Sequence, residues 1–199
     1  MKMKGCGKLL KTEYLLNREI ERVLGALTPG NALVVRVMLH TGLRVGDALR
    51  LTFPLREQMW ITEGKTGKRR HIGLSRPLID EICRRAEPYV PQRERRHIYE
   101  APHSGPRLWA FPSPRDYRKH RTRQAVWKDI KRAAWAYRIP ANVGPHSMRK
   151  VYAVKLMQKY GDLDRVKRAL NHSDDSITLI YAMADKLVSE RTLRNRAER

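Results

Sequence analysis

Residues 59–74 read MWITEGKTGKRRHIGL, and the architecture turns on this stretch. Residues 59–63 and 69–74 read as two short strands, and Gly64-Lys65-Thr66-Gly67-Lys68 between them is a glycine-flanked basic turn, the pattern of an antiparallel hairpin. Outward from it, every other regular stretch has helical spacing. Toward the N-terminus, Leu16, Ile20, Val23, Leu24 and Leu27 predict a helix over 16–28 that Pro29-Gly30 closes. NALVVRVMLHTG then has the apolar content of a buried helix with Gly42 as its stop, and VGDALRL predicts a short helix over 45–51. Toward the C-terminus, SRPLIDEICRRAEPYV is helical up to Pro88. Residues 91–120, rich in Pro, Arg and His, read as mostly loop, anchored by Leu108, Trp109 and Phe111. Further helices are expected over 123–138, with Val126, Trp127, Ile130, Ala134 and Tyr137 facing inward, and over 146–160, 162–170 and 184–196. The fold class is mainly α with a small antiparallel β-sheet.

The charge narrows the function. Among 199 residues, 42 Lys and Arg against 20 Asp and Glu leave a formal net charge of +22, while 41% hydrophobic residues suffice for a core. Such an excess fits a polyanion, nucleic acid first. The basic residues are spread through every segment, so the charge belongs to the folded body. An anionic membrane is the alternative, but no run approaches the roughly 18 apolar residues of a spanning helix. The opening MKMKGCGKLLKTEY lacks a secretory apolar stretch, which makes the cytoplasm the expected compartment. Cys6 and Cys83 lack ligand spacing and read as two reduced thiols, which argues against a zinc module.

Four clusters carry phosphate-type ligands: Thr41-Gly42-Leu43-Arg44, the Lys65 hairpin, His146-Ser147-Met148-Arg149, and Asn171-His172-Ser173. An arginine fork can give two hydrogen bonds to two non-bridging oxygens, whereas lysine acts as a point charge or proton donor. In so basic a chain any single arginine is more often solvated, so only the arrangement has weight. His146 and Arg149, three apart on a predicted helix, share one face near its N-terminus, where the helix dipole favours an anion.

TGLRVGDALRL (41–51), EGKTGKRRHIGLS (63–75), HSMRK (146–150) and LNHSDDSITLIYA (170–182) occur in the order and at about the spacing of the tyrosine recombinases, or phage integrases. The chain resembles the catalytic domain of that family over residues 20–185. The resemblance implies that Arg44 and Arg149 clamp the scissile phosphate and that Tyr181 is the nucleophile forming a 3′-phosphotyrosyl link. It makes Lys65 the acid that protonates the leaving 5′-oxygen, with Lys68 as its competitor in the same turn. His146 becomes the base or proton shuttle, His172 the group that bonds the phosphate or orients the tyrosine, and Asp47 a support for the site. Asp47 has a plainer reading as a surface acid paired with Arg50. Lys68, Arg69, Arg70, Lys128, Lys131, Arg132 and Lys150 are expected DNA contacts, and Trp127 and Trp135 read more simply as the apolar side of a helix than as base-stacking groups. Because the phosphotyrosine conserves bond energy, neither metal nor any other cofactor is expected.

Asn171 and Lys150 depart from the commoner Gly and His of the family, as subgroup variation. The resemblance divides the chain into a basic tail (1–15), a catalytic domain (16–183) and a C-terminal helix or tail (184–199) that docks on a neighbouring protomer. Only 43 residues precede Arg44, so the chain resembles the minimal recombinases or a fragment lacking the core-binding domain. The expected function is site-specific recombination of double-stranded DNA through a Holliday junction, by a homotetramer on DNA that is a monomer in solution, with a host DNA-bending protein as a further expected partner. Expected sites of action are the cytoplasm and host nucleoid, or a nucleus for a viral element. Two alternatives remain: a catalytically silent DNA-binding accessory protein of a mobile element, and an enzyme like the type IB topoisomerases.

Overall fold

The computed structural model describes residues 14–105 and 107–170. The N-terminal tail up to residue 13, His172, Tyr181 and the expected helix over 184–196 lie outside them. The described residues form helices α1 (Asn17–Ala26), α2 (Pro29–Thr41), α3 (Val45–Leu49), α4 (Arg76–Ala86), α5 (Arg123–Ala136), α6 (Pro145–Tyr160) and α7 (Leu163–Leu170). Strands β1 (Gln58–Thr62) and β2 (Arg69–Gly73) form the antiparallel hairpin, in a register that pairs Trp60 with His71. Among the described residues no helix is long and apolar enough to cross a membrane.

Helix α2 is the axis of the fold: α1, α3, α4, α5, α6 and β2 all pack against it. Its Val34, Val35 and Val37 are fully buried. β-Branched residues are poor helix formers, so packing holds this segment helical, each buried side chain contributing about 1.5–3 kcal/mol. Helix α1 ends at Ala26, just ahead of Pro29, and the same proline opens α2 at its first turn, where a missing N–H costs nothing. The junction is fastened from α5. Asp129 accepts from Thr28 N (2.9 Å), Thr28 Oγ1 (2.7 Å) and Asn31 Nδ2 (2.8 Å), so a distant carboxylate caps α2.

Helix α5 corrects the inward face expected from sequence. Val126, Ile130 and Ala134 are buried, with Asp129 and Ala133 beside them, but Trp127 is 48% exposed and Tyr137 44%. Trp135, at 82% exposure, also lies on the outside. The inward face instead carries Asp129, which reaches Thr28 and Asn31 at the start of α2. Nor is the 91–120 segment a plain loop. It contains a 3₁₀ stretch, Gln92–Ile98, and returns to the segment just after α3, where Phe53 N donates to Leu108 O (2.8 Å) and Ala110 N to Leu51 O (2.9 Å). Cys83 is buried in the α4 face, and burial pushes its thiol up to about 11.

Candidate active site

Gly42 ends α2 at φ 66°, the left-handed conformation that turns the chain sharply toward α3 and leaves Arg44 at its N-cap. From there Arg44 Nη1 donates to Glu63 Oε2 at 2.7 Å, and Asp47 Oδ2 lies 4.0 Å away. Asp47 itself is 6% exposed. Its Oδ1 accepts from Gly64 N at 2.9 Å and pairs with Arg50 Nη2, the partner that the plainer sequence reading gave it. It pairs with Arg50, but as a buried brace between α3 and the hairpin.

The hairpin is closed by Glu63 N donating to Lys68 O (3.0 Å) and Gly67 N to Glu63 O (2.8 Å), with Gly67 in the left-handed region at φ 66°. This turn holds Lys65 exposed at its crest. Glu63 is fully buried. Burial pushes its carboxyl up, but the bond and charge of Arg44, with Thr66 and Arg149, more than reverse this and hold it below the usual carboxylate range.

Helix α6 supplies the opposite wall. Pro145 starts it and Ser147 Oγ accepts from Gly144 N (3.2 Å), which sets His146 in the first turn and Arg149 behind it. Arg149 is 6% exposed, and its fork donates to Gly42 O (2.6 Å) and Leu170 O (2.5 Å). It thereby ties α6 to the α2 terminus and to the end of α7. His146 is exposed at the mouth, but the crowded cleft strips some of its water. That desolvation, followed by the charges of Arg149, Arg44, Lys150 and Lys65, holds its imidazole below the ordinary value of 6.5.

A cleft of about 590 Å³ opens between these walls, and Arg44, Asp47, Lys65, His146 and Arg149 all line it. Three separated sequence motifs thus converge on one basic cavity, a place where a phosphodiester can be held by two guanidinium groups with an ammonium and an imidazole beside it. His172 and Tyr181, expected to complete it, lie outside the described residues.

The cleft also includes His120 and Arg123, which sequence reasoning missed. His120 stands edge-on to Trp109, with ring centroids 5.0 Å apart. Arg123 opens α5 behind the Thr122 cap, whose hydroxyl accepts from Ala125 N at 3.1 Å. In a Pro- and Arg-rich stretch neither had a distinguishing signal beyond Thr122 as a helix start.

The expected DNA contacts divide. Lys68, Arg69 and Lys128 are exposed, Arg69 lying 5.2 Å above the Trp60 ring on the outer hairpin face. Lys131 is half-buried and donates to Asn142 Oδ1 (2.6 Å), Arg132 is held on Asp129 Oδ1 (2.6 Å), and Lys150 is half-buried near the cleft. Arg70 departs from the expectation. It is 7% exposed, donates to the Thr41 carbonyl, and lies 3.5 Å from both Gly42 O and Glu63 Oε1, an internal strut instead of a DNA-facing group. The inward phase of β2 causes this: Arg70 and Ile72 share the buried side, whereas Arg69 and His71 face out.

The chain is similar to known proteins over most of its length. The chain is 30% identical over 156 residues to the tyrosine recombinase XerD of Lacticaseibacillus casei, covering 74% of this chain and 48% of that protein. It is 32% identical over 181 residues to XerD of Pseudomonas putida, covering 86% and 57%. The chain therefore spans about half the length of the curated relatives it matches. Among solved structures, XerA recombinase superposes with a TM-score of 0.66 at 19% identity, over 92% of this chain and 65% of that one. The catalytic domain of bacteriophage HP1 integrase gives 0.57 at 22% identity, over 87% and 89%, so the fold is that of tyrosine recombinase catalytic domains. The profile of the phage integrase family matches residues 13–187, and the chain belongs to that family.

Proposed function

We propose that the chain carries the catalytic unit of a site-specific DNA recombinase, cutting and rejoining double-stranded DNA through a 3′-phosphotyrosyl intermediate. The observation that carries this reading is the meeting of Arg44, Lys65, His146 and Arg149 in one basic cleft. XerD relatives and the structure of XerH bound to difH substrate, at 24% identity and a TM-score of 0.61, support it.

In this mechanism the Tyr181 oxygen attacks phosphorus and the P–O5′ bond breaks. The tyrosine proton passes to neutral His146, and Lys65 gives a proton to the departing 5′-oxygen. Arg44 and Arg149 stabilise charge on the non-bridging oxygens, and His172 orients the phosphate or the nucleophile. Attack of a 5′-hydroxyl on the phosphotyrosine reverses the step, so bond energy is conserved and no cofactor enters the scheme. Strand exchange would take place in a homotetramer on DNA, with residues 184–199 docking in trans, a bending protein assisting where the site requires it, and the cytoplasm as the compartment.

The test is incubation of the chain with nicked suicide duplexes drawn from DNA flanking its gene, in EDTA. A covalent protein–DNA band that Tyr181→Phe abolishes is expected. Tight binding without that band would leave a silent accessory protein, and relaxation of plasmid DNA by the monomer at no particular site would indicate topoisomerase-like action.

A further inference from the structure

The buried carboxylate of Glu63 has no part in the chemistry above, yet it touches both halves of it. Its Oε2 receives Arg44 Nη1 (2.7 Å) and Thr66 Oγ1 (3.0 Å), so the clamp arginine and the neighbour of Lys65 are held by a single oxygen atom. Its Oε1 faces Arg70 Nη1 at 3.5 Å. Arg70 in turn reaches the Thr41 and Gly42 carbonyls at the turn that leads to Arg44, and Arg149 donates to the same Gly42 carbonyl at 2.6 Å. A carboxylate taken wholly out of water is costly unless cations and hydrogen bonds offset the loss, and here they do so from two elements at once.

We propose that Glu63 is a positioning residue, joining the α2–α3 turn to the hairpin so that Arg44 and Lys65 meet the same phosphate. This rests on the reading of Arg44 and Lys65 as phosphate ligands. Two consequences follow with opposite signs. Removing the charge leaves the cleft more positive, so binding of DNA is kept or tightened. Releasing Arg44 and the turn misplaces both groups, so the chemical step slows. A simple folding defect would weaken both.

The experiment uses the full chain with Glu63→Gln, which keeps the side-chain shape, and Thr66→Val at an exposed position where folding is not at stake. Nicked duplexes from DNA flanking the gene are prepared with either an ordinary phosphate or a 5′-bridging phosphorothiolate, whose sulfur leaves without needing a proton. E63Q should bind at least as tightly as wild type and cleave the ordinary duplex about 10²-fold more slowly, the scale of a misplacement near 1 Å. T66V should recover much of its loss on the phosphorothiolate duplex, and E63Q the share that comes from Lys65, while the share that comes from the released Arg44 persists on both duplexes. Wild-type cleavage by E63Q, a parallel fall in binding and cleavage, or an equal loss on both duplexes would each overturn the proposal. If E63Q does not fold, T66V decides by the same recovery. If the wild type forms no covalent complex on any duplex, the recombinase reading fails, and hydrogen exchange judges the joint alone. Faster exchange confined to residues 64–68 in the variants supports it, and unchanged exchange refutes it.

Discussion

His146 shows how surroundings set the working range of a single side chain. Loss of water and the nearby cations hold it below 6.5, so the neutral form, able to accept a proton, is the larger fraction at a pH where an ordinary histidine is half charged. Covalent-complex formation should therefore be above half its plateau at pH 6.5, with its acid midpoint below that value. A rate already halved at that pH would show the cations have no such effect. The same shift bears on stability. The unfolded histidine takes a proton near 6.5 while the folded one resists, so stability falls as pH drops below that value, as an acid series of urea unfolding curves can read. Arg70 and Arg69 make a sharper pair. Arg70→Ala strips a buried carboxylate of one cation and should cost about 3–5 kcal/mol in urea unfolding. Arg69→Ala, on the exposed face, should change stability by less than about 0.5 kcal/mol but lower the salt slope of DNA binding by about 1.

At the scale of elements, the turn after α2 carries the most demand. Gly42 has φ 66°, and a Cβ there would fall 2.3 Å from Tyr152 Cδ1, while its carbonyl receives Arg149. Gly42→Ala should therefore cost about 2–4 kcal/mol, from left-handed strain plus overpacking, and slow cleavage through a displaced Arg149. Thermal unfolding together with the cleavage assay checks both. Most of these elements could be read from the sequence, because glycine-flanked turns and apolar spacing are local signals: the strands at Gln58–Thr62 and Arg69–Gly73 differ by about one residue from their expected limits. Helix α5 was misread for a physical reason. A tryptophan one position off the buried stripe fits a helical period nearly as well as one on it, and only the tertiary bond from Asp129 to Thr28 reveals which face turns inward. Trp135→Ala should accordingly leave stability within about 0.5 kcal/mol, where a core tryptophan would cost several.

For the molecule as a whole, the candidate cleft was legible where motifs announce its lining and silent where it depends on tertiary meeting. Arg44, Lys65, His146 and Arg149 stand in recognisable strings, whereas Glu63 looks like the polar end of a strand until Arg44 is seen against it. The net charge of +22 is the property that no single motif carries. Lys65 and Arg44 at the cleft, with Lys68, Arg69 and Lys128 exposed outside it, offer several groups for successive phosphates. Each phosphate neutralised releases condensed counterions, so the logarithm of the binding constant should fall linearly with the logarithm of salt concentration, with a slope of about −0.9 per contact. Engagement of about six phosphates implies a loss of affinity near 10³-fold between 50 and 200 mM salt. Binding titrations of one duplex across that range measure the slope directly. A slope near zero would mean that the charge is spent inside the fold, on pairs such as Arg132 with Asp129, and not on DNA.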